Sequence, residues 1–217
     1  MHASSTLAVM EEKSLHSTGK TPQQQSVPAA HSVWKTAVLF TVVTAVIFGL
    51  AYPLAITGIA GLLFPHQANG SLILKNGQII GSSLIAQSFT SDRYFHPRPS
   101  AAGNGYDATA SGGSNLAQTN AKLIARIQSS IDALQKQNPG KPVPIDLVTE
   151  SASGLDPDIT PDDAYYQAPS VAKARGISVA TIEALVKQHI EQRQLGFLGE
   201  PRVNVLELNL ALDKLAK

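Results

Sequence analysis

Between Thr36 and Phe64 the chain runs for 29 residues without a single charge, TAVLFTVVTAVIFGLAYPLAITGIAGLLF. A bilayer core of roughly 30 Å needs about 20 apolar helical residues, so this stretch is long enough for one complete crossing with tilt. A cleaved signal sequence would have an apolar region of about 7–15 residues after a short basic start. Here the run is longer and follows a polar tail, so it reads as a retained span. Pro53 inside it predicts a kink whose freed carbonyl is satisfied by neighbours. Trp34 and Lys35 stand at the near edge, where an indole and a snorkelling ammonium favour the headgroup layer.

Lysines give the orientation. Lys13, Lys20 and Lys35 precede the span, and the first cation after it is Lys75. The positive-inside rule then puts the N-terminus in the cytoplasm and the C-terminal region outside it. Small residues recur along the span at helical spacing: Ala45, Gly49 with Ala51, Ala55, then Gly58 and Gly61. With Pro53 they form a candidate interface for partner helices, because small side chains let backbones approach closely in lipid.

Residues 1–32 are rich in Ser, Thr, Gln, Pro and His without periodicity, and predict a disordered tail. The expected organisation is therefore a tail (1–32), a span (33–64) and one small α+β domain (65–217). That domain carries 14 basic and 14 acidic residues, so no block of one sign steers it toward nucleic acid. The chain has no cysteine, which removes disulfides, thiolate zinc sites and a cysteine nucleophile together.

Within the domain, Asn76-Gly77 between two apolar runs predicts a two-residue hairpin turn. Residues 87–115 hold few aliphatics and many Gly, Ser, Asn and aromatic residues. A connection of that length in a compact domain is usually functional or disordered. Its aromatic content (Phe89, Tyr94, Phe95 and Tyr106) argues for packed or binding structure, and Phe89, Tyr94, Phe95 and Arg98 are candidate partner-surface residues. Leu123, Ile124, Ile127, Ile131 and Leu134 form the stripe of an amphipathic helix over about 121–137, capped by Asn120 and stopped at Asn138-Pro139-Gly140. PVPIDLVT (142–149) reads as a short strand. Thr160-Pro161-Asp162-Asp163 starts a helix that Gly176 ends. Ser178 caps another, with Ile182, Leu185, Val186, His189 and Ile190 on its stripe. Leu206 to Leu212 alternates and reads as a buried-face strand, although 206/210 and 208/212 would also meet on a helix.

The usual catalytic sets are missing from the sequence. Gly19-Lys20-Thr21 lacks the upstream glycine of a phosphate loop, and there is no H-E-x-x-H. Ser170-Val171-Ala172-Lys173 fits S-x-x-K without its companion motifs. His189 reads as structural. The Asp156, Asp158, Asp162 and Asp163 cluster lacks calcium-loop spacing, so no metal site is expected. Ser111-Gly112-Gly113-Ser114-Asn115 could form a backbone nest for an anion, but reads more readily as a glycine loop entering a helix.

Several long stretches together resemble one family, the C subunit of the Kdp potassium-transporting ATPase. They are Tyr52-Pro53, FPHQANGSLI (64–73), GSSLIAQSFTSDRYF (81–95), RPSA (98–101), SGGSNLAQTN (111–120), VPIDLVTESASGLDPDITP (143–161), VAKARGIS (171–178) and LGFLGEPRVNVLELNLALD (195–213). The resemblance implies a non-catalytic subunit of a bacterial inner-membrane complex that imports potassium at the expense of ATP. Its partners would be a channel-like potassium-binding subunit, a P-type ATPase subunit and a small peptide. It also implies a catalytic chaperone that raises the ATP affinity of the ATPase subunit, with Gln167 and Ser111–Asn115 as nucleotide candidates. ATP and potassium would be handled by the complex, with no cofactor of the chain's own. The lysine-based orientation, which keeps the domain away from cytoplasmic ATP, favours assembly over direct nucleotide contact. Ser170 stands where the family typically has arginine, Ala121 where a proline often follows Thr-Asn, and the tail is longer than usual. Two other classes are a membrane-anchored enzyme using Ser114 or Ser170, and a membrane-tethered module that binds a ligand through the 87–115 loop.

Overall fold

The computed structural model describes residues 30–215, so the expected tail lies outside the described residues up to residue 29. The chain divides into two compact units, one ending at Ile56 and the other beginning at Thr57. Helix α1 spans Ala30–Val46, a π-helical turn covers Ile47–Ala51, and α2 runs over Tyr52–Leu63. The wide turn is where Pro53 makes itself felt. A proline cannot donate to the carbonyl four residues back and its ring crowds that carbonyl. The preceding Tyr52 N–H instead reaches five residues back, to the Ile47 carbonyl. The helical stretch Val33–Leu63 is long and apolar enough to cross a membrane, and none of its side chains is buried.

Beyond it come α3 (Pro65–Ala68) and a hairpin of β1 (Leu72–Lys75) with β2 (Gln78–Ser82). Asn76 (φ 52°) and Gly77 (φ 78°) both take the left-handed conformation that the predicted turn demands. Gly81 allows a close approach: a Cβ there would lie 1.9 Å from Gln87 Nε2 and 2.8 Å from Leu206 Cδ2.

The core is built late in the chain. Helix α4 (Ala121–Gln137) is capped by Asn120, whose side chain accepts from the Lys122 N–H. Helices α5 (Pro161–Arg175) and α6 (Val179–Gln188) pack against each other and are capped by Thr160 and Ser178, with Gly176 (φ 69°) turning the chain between them. Strands β3 (Asp158–Ile159), β4 (Ile190–Glu191) and β5 (Arg202–Asn204) make a small antiparallel sheet with β5 in the centre. Helix α7 (Val205–Leu215) follows β5 directly. Ala164, Ala168, Val171, Ile182, Val186, Val203, Leu208 and Leu212 share one buried cluster with Phe95.

Three sequence readings are corrected. PVPIDLVT is not a strand: Ile145–Leu147 forms a 3-10 turn. Pro142 and Pro144 have no N–H for a ladder, and the Asp146 carboxylate accepts from the Thr160 N–H at 2.8 Å. The 206–212 segment is helical, not extended. Its buried set is Val205, Leu206, Leu208, Asn209 and Leu212, a helical stripe disguised by a polar residue inside it. The His189/Ile190 end of the predicted α6 stripe also lies past that helix, with Ile190 in β4.

Candidate functional site

The 87–115 loop has no regular secondary structure, yet it is fixed at its centre by two buried side-chain amides. Asn209 on α7 accepts from the Phe95 N–H at 2.8 Å and donates to the Phe95 carbonyl at 2.9 Å. Gln167 on α5 does the same for the next residue, accepting from the His96 N–H at 2.8 Å and donating to its carbonyl at 2.9 Å. The two amides, one from α7 and one from α5, thus take up the backbone polar groups of two successive loop residues. Phe95 itself is fully buried.

Around this grip the loop is tied at further points. Arg98 donates to Asp156, Thr149 and the Glu150 carbonyl, and Tyr106 Oη donates to the Arg98 carbonyl at 2.9 Å. Burial raises the Tyr106 phenol above its ordinary value. At the far end of α5, Arg175 donates to the Arg93 and Leu212 carbonyls and to Asp213, with its guanidinium 4.8 Å over the Tyr94 ring.

The fixed loop forms one wall of an open cleft of about 900 Å3, with α4 and α5 as the others. Tyr94, His96, Tyr106, Tyr166, Lys136 and Lys173 are among its lining side chains, an aromatic and amide surface with two cations at the rim. Helix α4 is hung on α5 by polar contacts: Tyr166 Oη donates to the Leu134 carbonyl at 2.8 Å and Asn138 Nδ2 to the Tyr166 carbonyl at 3.1 Å. Arg126 pairs with Glu150 at 2.8 Å.

The structure separates the sequence-predicted nucleotide residues. Gln167 lines the cleft, but both hydrogens of its amide are used, on His96 and on Asp163. Ser111–Asn115 lies against residues 151–154 instead. The Gly112 N–H and Ser111 Oγ both donate to the Ser153 carbonyl, and a Cβ on Gly113 would sit 3.1 Å from the Ala152 carbonyl oxygen. The Gly112 N–H is thus spent within the fold, and none of the five residues lines the cleft. Of the partner-surface candidates, Phe95 is corrected to a core residue. Phe89 and Tyr94 pack tilted against each other at 5.5 Å, half-buried, and Arg98 is bound to Asp156, Thr149 and the Glu150 carbonyl. Ala45, Gly49, Pro53, Gly58 and Gly61 are all exposed on the apolar helix, with nothing within 4 Å of a Cβ built on the three glycines. Ser170 lines the cleft, and Ser114 does not. Among the described residues neither hydroxyl is hydrogen-bonded to a histidine or carboxylate.

Sequence reading missed an exposed apolar feature that lies beyond the apolar helix. Residues 193–200 form a tight projection closed by the Gln194–Leu198 bridge and an Arg193–Glu200 ion pair. Leu195 is 82% exposed and Phe197 69%. Leu195 also has a φ of 54°, a left-handed conformation costly for a bulky side chain. The Leu-Gly-Phe-Leu-Gly run was the available signal: apolar residues between two glycines that favour a turn.

One exposed apolar helix long enough to cross a membrane, followed by a mixed helix-and-sheet region, fits a membrane-anchored subunit in outline. The family described as K+-transporting ATPase, c chain, matches residues 34–214, and the chain belongs to it. A potassium-transporting ATPase KdpC subunit of Acidobacterium capsulatum is 59% identical over 181 residues, 83% of this chain and 97% of the relative. Those of Koribacter versatilis and Bradyrhizobium diazoefficiens are 58% and 52% identical, covering 82% and 84% of this chain and 92% and 96% of the relatives.

Proposed function

We propose that the chain, as a non-catalytic subunit of a potassium-transporting ATPase complex, acts by assembling and stabilising that complex. The carrying observation is apolar surface left uncovered among the described residues: the bare helix Val33–Leu63, and the Leu195–Leu198 projection. Exposed apolar area of this kind marks a docking surface for protein or lipid. In this reading the span (33–64) crosses a bacterial inner membrane once, the N-terminal tail (1–32) is cytoplasmic, and the domain (65–217) is extracytoplasmic. The span docks on a channel-like potassium-binding subunit, a P-type ATPase subunit and a small peptide subunit, through Ala45, Gly49, Pro53, Gly58 and Gly61. Any rise in the ATP affinity of the ATPase subunit is then transmitted through those contacts. The occupied amide of Gln167 and the inward-bonded Gly112 support this indirect route over direct nucleotide contact.

Co-purification of the complex tests the assembly role. Gly49→Leu and Phe197→Ser should each reduce recovery of the large subunits with this chain, and undiminished recovery would count against the docking surface concerned. Gln78→Cys, exposed on β2 in a cysteine-free chain, tests orientation. Labelling by a membrane-impermeant thiol reagent on intact cells is the expected outcome. Protection relieved only by lysis would place the domain in the cytoplasm.

A second reading has its own observation: the 900 Å3 cleft walled by the fixed loop is of a size that holds small ligands. The chain would then be a membrane-tethered ligand-binding module that uses the 87–115 loop. Saturable binding of a small molecule by the full chain without its partners would favour it.

A further inference from the structure

Asp163 is the third residue of α5 and has no exposed surface. Its Oδ1 accepts from Gln167 Nε2 at 2.7 Å, and its Oδ2, also buried, has no hydrogen-bond partner. The same Gln167 grips the backbone of His96 through both halves of its amide. Carboxyl, amide and loop backbone thus form one chain of contacts from the protein interior to the wall of the cleft. A carboxylate without a cation partner is costly in such a place, and the neutral acid is much less so.

The surroundings offer no compensating ion pair. Asp146, on the 3-10 turn packed against α5, faces Asp163 as a second acid and is bonded to the Thr160 N–H. Arg98, from the loop, is the facing cation, but its guanidinium is bonded to Asp156, Thr149 and the Glu150 carbonyl. From α7 the neutral Asn209 holds Phe95, and the His96 ring is 3.3 Å from the Ser91 carbonyl. Burial is the main cause that pushes the Asp163 carboxyl up, to about 8, with the Gln167 hydrogen bond opposing, Asp146 adding and Arg98 opposing.

We propose that Asp163 and Gln167 form a proton-dependent clasp on the 94–98 segment: with a proton on Asp163 the clasp holds the cleft wall, and loss of that proton loosens it. Nothing else is consumed. The proton leaves to solvent, and the new charge is relieved by water that enters as the loop parts from α5. Whichever side of the membrane the domain occupies sets the pH that the clasp reads, so the inference does not depend on the assembly reading.

The sign follows from linkage. The folded group holds its proton more tightly than the unfolded one, whose value is 3.8. The proton's contribution is therefore complete below about pH 4, falls as pH rises, and is exhausted above about pH 8. One such proton changes the unfolding constant by about tenfold per pH unit inside that window.

The test compares the full-length chain in detergent with its Asp163→Asn variant, whose amide is neutral at every pH. Urea unfolding from pH 5 to 9 should show the wild type losing stability relative to the variant, by up to about tenfold in unfolding constant per pH unit below pH 8. Parallel pH profiles would overturn the clasp. Hydrogen–deuterium exchange over 93–99, corrected for intrinsic rates, is the readout that a merely structural carboxyl would not move locally. Faster exchange at pH 9 than at pH 6 in the wild type, and not in the variant, is expected. If Asp163→Asn does not fold, the wild type still decides: exchange over 93–99 unchanged between those pH values sinks the proposal.

Discussion

Helices α4 and α5 differ in a way their sequences invert. α4 carries the cleaner apolar stripe, yet none of its residues is fully buried. α5 has a weak stripe, an internal Pro169 and two acids in its first turn, yet seven of its residues are buried. The difference lies in what covers each. Ala164, Ala168 and Ala172 are small enough to bring α5 close to α6 and β5, while α4 is hung across the cleft by Tyr166, Asn138 and the Arg126–Glu150 pair. Periodicity announces a helix; residue size and neighbours decide how deeply it sits.

Phe95→Ala is the severest attack on the α5 side, because the ring is in the same buried cluster as Ala164, Ala168 and Val171. It should cost about 3–5 kcal/mol in urea unfolding of the full chain. A loss under about 1 kcal/mol would remove the loop from the core, since so small a change is typical of surface positions. Tyr166→Phe strikes the junction between the helices. Losing the bond to the Leu134 carbonyl should cost about 1 kcal/mol and speed amide exchange in α4 but not in α5. Equal acceleration in both would show that they open as one unit. Ile124→Ala, on the half-covered α4 stripe, should change the isolated chain by no more than about 0.5 kcal/mol. A clearly larger loss in the assembled complex would reveal a partner over α4.

Local chemistry was legible wherever one residue type forces one conformation. Asn76-Gly77, the Asn120, Thr160 and Ser178 caps and the Gly176 stop all stand where the sequence put them. The apolar helix was equally plain, because a charge-free run of that length is too long for a signal sequence's apolar region. What stayed hidden depends on pairs distant in sequence. Asn209 fell on the polar face of an apparent alternation, whereas it is buried and the partner of Phe95, 114 residues away. Gln167 drew notice as a nucleotide candidate, but its partner is the backbone of His96. Asp163 was accounted for as a helix-start acid, and its burial comes from the loop folded over it. The cleft could not be foreseen, since it exists only where the loop, α4 and α5 meet.

The double grip on residues 95 and 96 also constrains how the protein can be made. As the chain leaves the ribosome N-terminus first, the hairpin and the loop emerge well before α5, and α7 comes later still. Until Asn209 is synthesised, the polar backbone of Phe95 has no partner on that side and its ring has no finished pocket. Closing contacts across so many residues is slow, because chain entropy opposes it until the last piece docks. The nascent domain must therefore pass through a stage with an open aromatic loop, which is the interval in which a chaperone or a partner subunit has most to protect.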